Sequence, residues 1–510
     1  MTRRLATLAL SIVIAALVTQ TPGSILAFDE KATFNKDVLP ILQRNCQVCH
    51  RPGEAAPMSF LTYESTRPWA KAIKQAVTTR QMPPWFADPI YGAFRNAPKM
   101  TAADIKVLVS WVDGGAIEGD AKDKPAPVQW PDGWRIKPDV VASMAEPHVV
   151  QAKGGGEIKS FILASPFKED TWVSSIEVRP GDPSVVHHVI VQLADKNAQG
   201  HILGGGACAS CPASLPLGLQ RIVGSQRVQS RPGGGGEVGG YSGSGGGEAG
   251  FTQSSPFQAM EAVYVPGAPP MDYRFHNSAK FIPGGANIRL EVHYTPNGRK
   301  TSDQTRVGFT VLKEPAKRRF IAMAPTSMVE SSSFRIPAGA SNFETRGELT
   351  FIEDADLVWF MPHMHLRGKD MTYRLLYPNG RSEVVLSAKF NFNWQLGYEV
   401  AEPIRVPKGT KLIVTAHHDN SANNPFNPDP SRPVQWGELT SEEMVIPWFG
   451  VVVDRDIDPT KIAVYKPAGR PQGLLETPAW QRQTPTSTVP GVTPTTPRPD
   501  IRLPIPGIKK

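Results

Sequence analysis

Hydrophobic positions change their period along this chain. Phe34, Val38, Ile41 and Leu42 recur at i, i+4, i+7 and i+8, one face of a helix. Ile105, Leu108, Val109 and Val112 make a second stripe of helical period. Thr101 and Asp104 give it a capping-box start, and Gly114-Gly115 a stop. Residues 31–122 therefore read as a small all-α domain, and the Pro-, Lys- and Asp-rich residues 123–137 as a linker. From 138 to 469 the period shortens. The runs 184–193, 288–294, 349–362 and 412–417 are β-branched or alternating, with Pro, Gly, Asn297-Gly298 and Asn379-Gly380 between them. That texture predicts antiparallel β-sandwiches rather than βαβ units. The basic 313–319 segment, with Pro315 inside it, divides them into 138–315 and 316–469.

Composition trims this picture at its ends. With 40% hydrophobic and 20% charged residues over 510 positions, the chain is neither wholly disordered nor fibrous. Residues 1–27 read as a secretory signal: Arg3 and Arg4, then a mostly apolar run of 14 from Leu5 to Val18, a break at Pro22-Gly23, and cleavage near Ala27. That run is short for a bilayer span, and no later run is long and apolar enough for one, so the mature chain is expected in the periplasm or otherwise outside the cytoplasm. Residues 231–250 hold 11 Gly and read as a mobile loop on the first sandwich; no strand-turn-helix context makes them a phosphate cradle. Residues 470–510 read as a disordered Pro-rich tail.

The net charge of +8 first suggests a nucleic-acid or membrane-surface partner. Two of those charges are Arg3 and Arg4 in the leader, and the tail holds a net +4, which leaves +2 for residues 28–469. The folded part is near neutral, and no nucleic-acid partner is expected.

Candidate chemistry begins at Cys46-Gln47-Val48-Cys49-His50. Two thiols at C-x-x-C spacing can form thioethers to one haem, and the adjacent His can ligate its iron. Met82, in a Pro-rich loop 32 residues beyond His50, is the preferred sixth ligand, with Met58 and Met100 as competitors. As a whole, residues 31–122 resemble a single-haem cytochrome c domain carrying one covalent haem c. Cys208 and Cys211 remain. In an oxidising compartment a local disulfide is expected of them, with a transient copper or redox site as the alternative.

The histidines are patterned as well. His187 and His188 stand side by side in an apolar run, His293 stands alone in another, and His363 and His365 form H-x-H in a third. Residues i and i+2 of a strand share a face, so His363 and His365 can reach one metal. Adjacent residues of a regular strand face opposite ways, so His187 and His188 need a local distortion to do the same. Hydrogen-bonded core histidines are the plainer alternative; imidazoles with a thioether favour copper.

The order H-H, lone His, H-x-H, then Glu442-Glu443-Met444 resembles the copper type II, ascorbate-dependent monooxygenases, the peptidylglycine α-hydroxylating and dopamine β-hydroxylating enzymes. The resemblance spans about 138–469. It implies one copper on His187, His188 and His293, and an oxygen-binding copper on His363, His365 and Met444, the two facing each other across a solvent-filled cleft. It gives His417 and His418 at most an outer role. The implied activity is hydroxylation of a C–H bond by O2, with electrons from an ascorbate-like reductant or a redox protein through the haem domain. The chain departs from the family on the substrate side. Met361, Ile446 and Trp448 occupy positions where the peptide-amidating enzymes carry an Arg and polar groups. This implies an apolar or aromatic small-molecule substrate. A non-catalytic electron-transfer or redox-sensing haem and copper protein is the alternative. The expected fold is thus a small all-α cytochrome c domain followed by two antiparallel β-sandwich, jelly-roll-like domains.

Overall fold

A computed structural model describes residues 31–130, 133–154, 156–194, 257–325, 334–437 and 439–466. Residues 1–27, expected as a leader, the Gly-rich residues 231–250, Cys208, Cys211 and residues 470–510 lie outside the described residues.

The described residues are mostly β, 39% strand and 14% helix, with four larger sheets in a propeller-like arrangement. This corrects the expectation of an all-α cytochrome c domain followed by two jelly-roll-like sandwiches. Among the described helices only Ala70–Thr78 and Ala102–Asp113 exceed seven residues. The second starts at the capping box, with Thr101 and Asp104 exchanging hydrogen bonds. Leu39–Asn45 has Pro40 in its first turn and ends at Cys46, where the haem-type motif begins. Phe34, Leu42, Leu108 and Trp111 form a small core beneath these helices. Beyond Arg80 the Pro-rich chain leaves them. Ala87 pairs with Ala388 and Phe94 with Val400, and Trp85 and Phe94 pack against Tyr398. Proline removes backbone donors, so this stretch cannot extend the helices and is used as a strap on the β region instead.

Two of the four sheets come from the first half of the β region. One is centred on Thr171–Arg179 and Arg306–Val311. The other is built on Val186–Ala194 and Asn287–Tyr294. The remaining two come from the second half, one centred on Ala355–Met364 and Val445–Asp454, the other on Gly368–Leu376 and Lys411–His418. All the strand pairs within these sheets are antiparallel. The division at residue 315 is crossed in two ways. Strand Phe257–Met260 adds to Arg318–Pro325, in a sheet of the second half. One continuous hydrophobic cluster holds Val189 and Leu290 together with Trp359, Met361, Met444 and Trp448. Apolar residues that alternate on a strand need a partner surface, and here the two halves supply it to each other.

Candidate metal centre

The His187-His188 pair is turned by a β-bulge. Strands Val186–Ala194 and Asn287–Tyr294 are in register from Asn287 opposite Ala194 to His293 opposite His188. Tyr294 then faces Val186, so His187 is an extra residue without a counterpart. A bulge bends the strand and breaks strict alternation. Both rings thereby reach His293: the three ring centroids are 5.0–5.1 Å apart, and one ligand atom from each lies within 4.8 Å of the others. The Nδ1 atoms of His187 and His188 are 3.0 Å apart. Nitrogens sharing one ion at ~2.0–2.1 Å would be about 3 Å apart. The second half of the chain closes on His187: its Nε2 is 2.9 Å from the carbonyl oxygen of Phe392, whose ring stacks on it at 4.8 Å.

The second group forms where Ala355–Met364 pairs with Val445–Asp454, His363 lying opposite Ile446. His363 Nε2 is 3.1 Å from Met444 Sδ, and His363 Nδ1 is 2.6 Å from Gln395 Oε1. The His365 ring lies 5.6 Å from that of His363. Glu443, fully buried, accepts from the backbone N–H groups of His365, Arg367 and Met444. Burial pushes the Glu443 carboxyl up to about 7 against those three donors. Arg367 lies beside it, held by Asn420 Oδ1 at 2.8 Å and the Ser441 carbonyl at 2.9 Å.

The two groups adjoin. His188 and His363 have ring centroids 5.9 Å apart, so ring contact stands where the resemblance implies an open cleft. His188, His293, His363 and His365 are buried and His187 is half-buried. Burial, reinforced by neighbouring imidazoles, holds His293 and His365 down to about 3 and His188 well below the usual histidine range. Burial also lowers His363 to about 4, against the Gln395 hydrogen bond, and lowers His187. In all five the shift favours the neutral imidazole, the form that coordinates a metal.

Met361, Ile446 and Trp448 are buried in the cluster that contains Met444, with Met361 opposite Trp448. They are core positions beside the histidines. His417 pairs with Asp370 at 2.6 Å, and His418 is buried beside Phe334 and Phe343. His148 is 2.9 Å from Glu157.

At the other motif, Cys49 and His50 turn back to donate backbone N–H groups to the Cys46 carbonyl. Both thiols are free, and burial pushes Cys46 up to about 12 and Cys49 up to about 11. His50 stacks on Phe60 at 4.3 Å and its buried Nδ1 has no partner. Two reduced thiols on one turn beside a partly unsatisfied imidazole are a donor set that fits haem c. Met58 and Met100 pack against the helical core that Cys46 borders, while Met82 stands outside it. Cys49 also meets the β region: a Cβ on Gly267 would lie 2.5 Å from its Sγ. Three residues earlier, Tyr264 pairs with Val189, next to His188.

Sequence reading missed Phe392 and Gln395, which lie between strands with no periodic signal. It also missed Glu443 as the anchor of the loop after His363. No model of a known protein family matches the chain, and a search of the curated proteins returns no match.

Proposed function

We propose that the chain is an exported copper-dependent monooxygenase that uses O2 to hydroxylate a C–H bond of an apolar or aromatic small molecule. One observation carries the reading: a strand bulge gathers His187, His188 and His293 beside His363, His365 and Met444. His187, His188 and His293 would hold one copper, and His363, His365 and Met444 the other. Copper bound there would supply one-electron redox chemistry, with the thioether favouring Cu(I). The protein's own part is orientation. The Phe392 carbonyl takes His187 Nε2 and leaves Nδ1 for coordination. Gln395 takes His363 Nδ1 and leaves Nε2 facing Met444. Such outer partners fix tautomer and ring angle. Cys46, Cys49 and His50 would carry haem c, with Met82 ahead of Met58 and Met100 as the sixth ligand. An ascorbate-like reductant or a redox protein would feed it. The contact of Cys49 with Gly267, one strand away from His188, supports electron delivery within one chain.

The test is oxygen uptake by copper-loaded, reduced protein with a panel of aromatic and aliphatic compounds. Uptake that requires a substrate and yields a hydroxylated product is expected, and His363→Ala lowers it at least 100-fold. Full activity in that variant would refute the assignment. The burial of the histidines and of Met361, Ile446 and Trp448 favours a second reading, a closed electron-transfer or redox-sensing centre. That reading expects reoxidation by O2 at a rate no compound in the panel alters, with no hydroxylated product.

A further inference from the structure

A cleft of about 570 Å³ lies away from the histidines, at the meeting point of four parts of the chain. Arg95 comes from the strap, Arg135 and Lys137 from the segment after the helices, Pro269, Pro270 and Phe275 from the first half of the β region, and Glu399 from the second half. Its volume is within the ~300–1,000 Å³ of ordinary small-molecule sites.

The charges on its walls do not balance. Arg95 bridges Glu399 at 2.7 Å. Arg274 grips both oxygens of Asp272, at 2.9 and 2.6 Å. Arg135 donates to the Ala268 carbonyl at 2.7 Å and stands 3.6 Å from Glu177, a carboxylate it shares with Arg179. Four cations and two acids line the cleft; Arg95 and Arg274 pair with those acids and Arg135 with Glu177 just outside, which leaves Lys137 as the lining cation with no ion pair among the described residues. Arg95 Nε is buried without a hydrogen-bond partner. The apolar part is an exposed ring. Phe275 is 60% accessible, with the Arg95 guanidinium 3.5 Å from its centroid and two prolines nearby. Phe275 thus offers an open apolar surface at the cleft, and Lys137 an exposed cation with no ion pair among the described residues.

We infer that this cleft binds a small organic anion with an aromatic or other flat apolar body, its carboxylate taken by Lys137, Arg95 and Arg135 and its ring lying against Phe275. No copper or haem ligand lines it, so the inference stands whether or not the proposed activity does.

The experiment is isothermal titration of the full chain with 2-naphthoate, alongside the neutral 2-naphthylmethanol and inorganic phosphate. One saturable site is expected for naphthoate, with affinity in the range of about 10 μM to 1 mM, and at least tenfold weaker binding of both controls. Lys137→Met and Phe275→Ala should each weaken naphthoate about tenfold, since each removes one half of the recognition. Both side chains are exposed, so thermal midpoints should match the parent. No saturable heat up to about 10 mM, unchanged affinity in Lys137→Met, or equal binding of the neutral alcohol would each overturn the inference. Phosphate binding as tight as naphthoate would overturn the apolar part.

Discussion

At the residue scale, the centre rests on nitrogens that are spoken for and nitrogens that are left free. Gln395 holds His363 Nδ1 at 2.6 Å and is itself buried. Gln395→Leu should lower copper affinity about 10–100-fold while retaining every proposed ligand. Competition with a chelator of known affinity measures this. An unchanged affinity would make Gln395 a packing residue only. His187-His188, His293 and His363-x-His365 stood out in the sequence because each lies in an apolar or alternating run that marks a strand, whereas Glu442-Glu443-Met444 precedes the strand Val445–Asp454. Gln395 and Phe392 were not legible. They reach the site from an irregular segment, and no period announces where such a segment folds back.

At the element scale, the bulge at His187 decides whether two adjacent residues can serve one ion. A bulge is a one-residue slip against a partner strand, so the strand's own sequence does not reveal it. Deletion of His187 would restore regular pairing and remove one ring from the group, leaving His188 opposite His293. It should abolish the three-histidine copper and lower the bound copper by one ion per chain, as read by elemental analysis. The helix Ala102–Asp113 offers a simpler test. Thr101→Ala should cost about 1 kcal/mol, seen as a lower thermal midpoint. Burial pushes the Asp104 carboxyl up, but hydrogen bonds from Thr101 and the charge of Arg44 prevail and hold it below the usual aspartate range. A depressed folded pKa means the contribution is present above the unfolded value near 3.8 and is lost as pH falls through the folded one. The difference in midpoint between the parent and Asp104→Asn should therefore shrink on going from pH 7 towards acid below that value.

At the scale of the whole molecule, the sequence pointed to strands and to short helices, and the assembly differed from what it suggested. Alternation tells which side of a strand is apolar, not which sheet will cover it. Here the covering is shared: Trp359, Met361 and Trp448 of the second half join Val189 and Leu290 of the first in one cluster. The same sharing draws His188 to within 5.9 Å of His363, ring centre to ring centre. The two halves of the β region should therefore unfold together. Trp448→Ala should cost about 3–5 kcal/mol and lower one common transition, with tryptophan fluorescence and far-ultraviolet circular dichroism tracing coincident denaturant curves. Two separated transitions would contradict a shared core. The prolines between 81 and 98 were visible from the start, but that they lay the chain across Tyr398 and Val400 depends on partners more than 300 residues away.

The central claim is that one chain holds two coppers beside a haem-bearing segment, and metal stoichiometry tests it most directly. Full-length protein matured with haem is loaded with copper, dialysed and analysed for copper and iron per chain. The account predicts two copper ions and one iron, falling to one copper and one iron in His363→Ala. Protein that retains iron but no copper would contradict it.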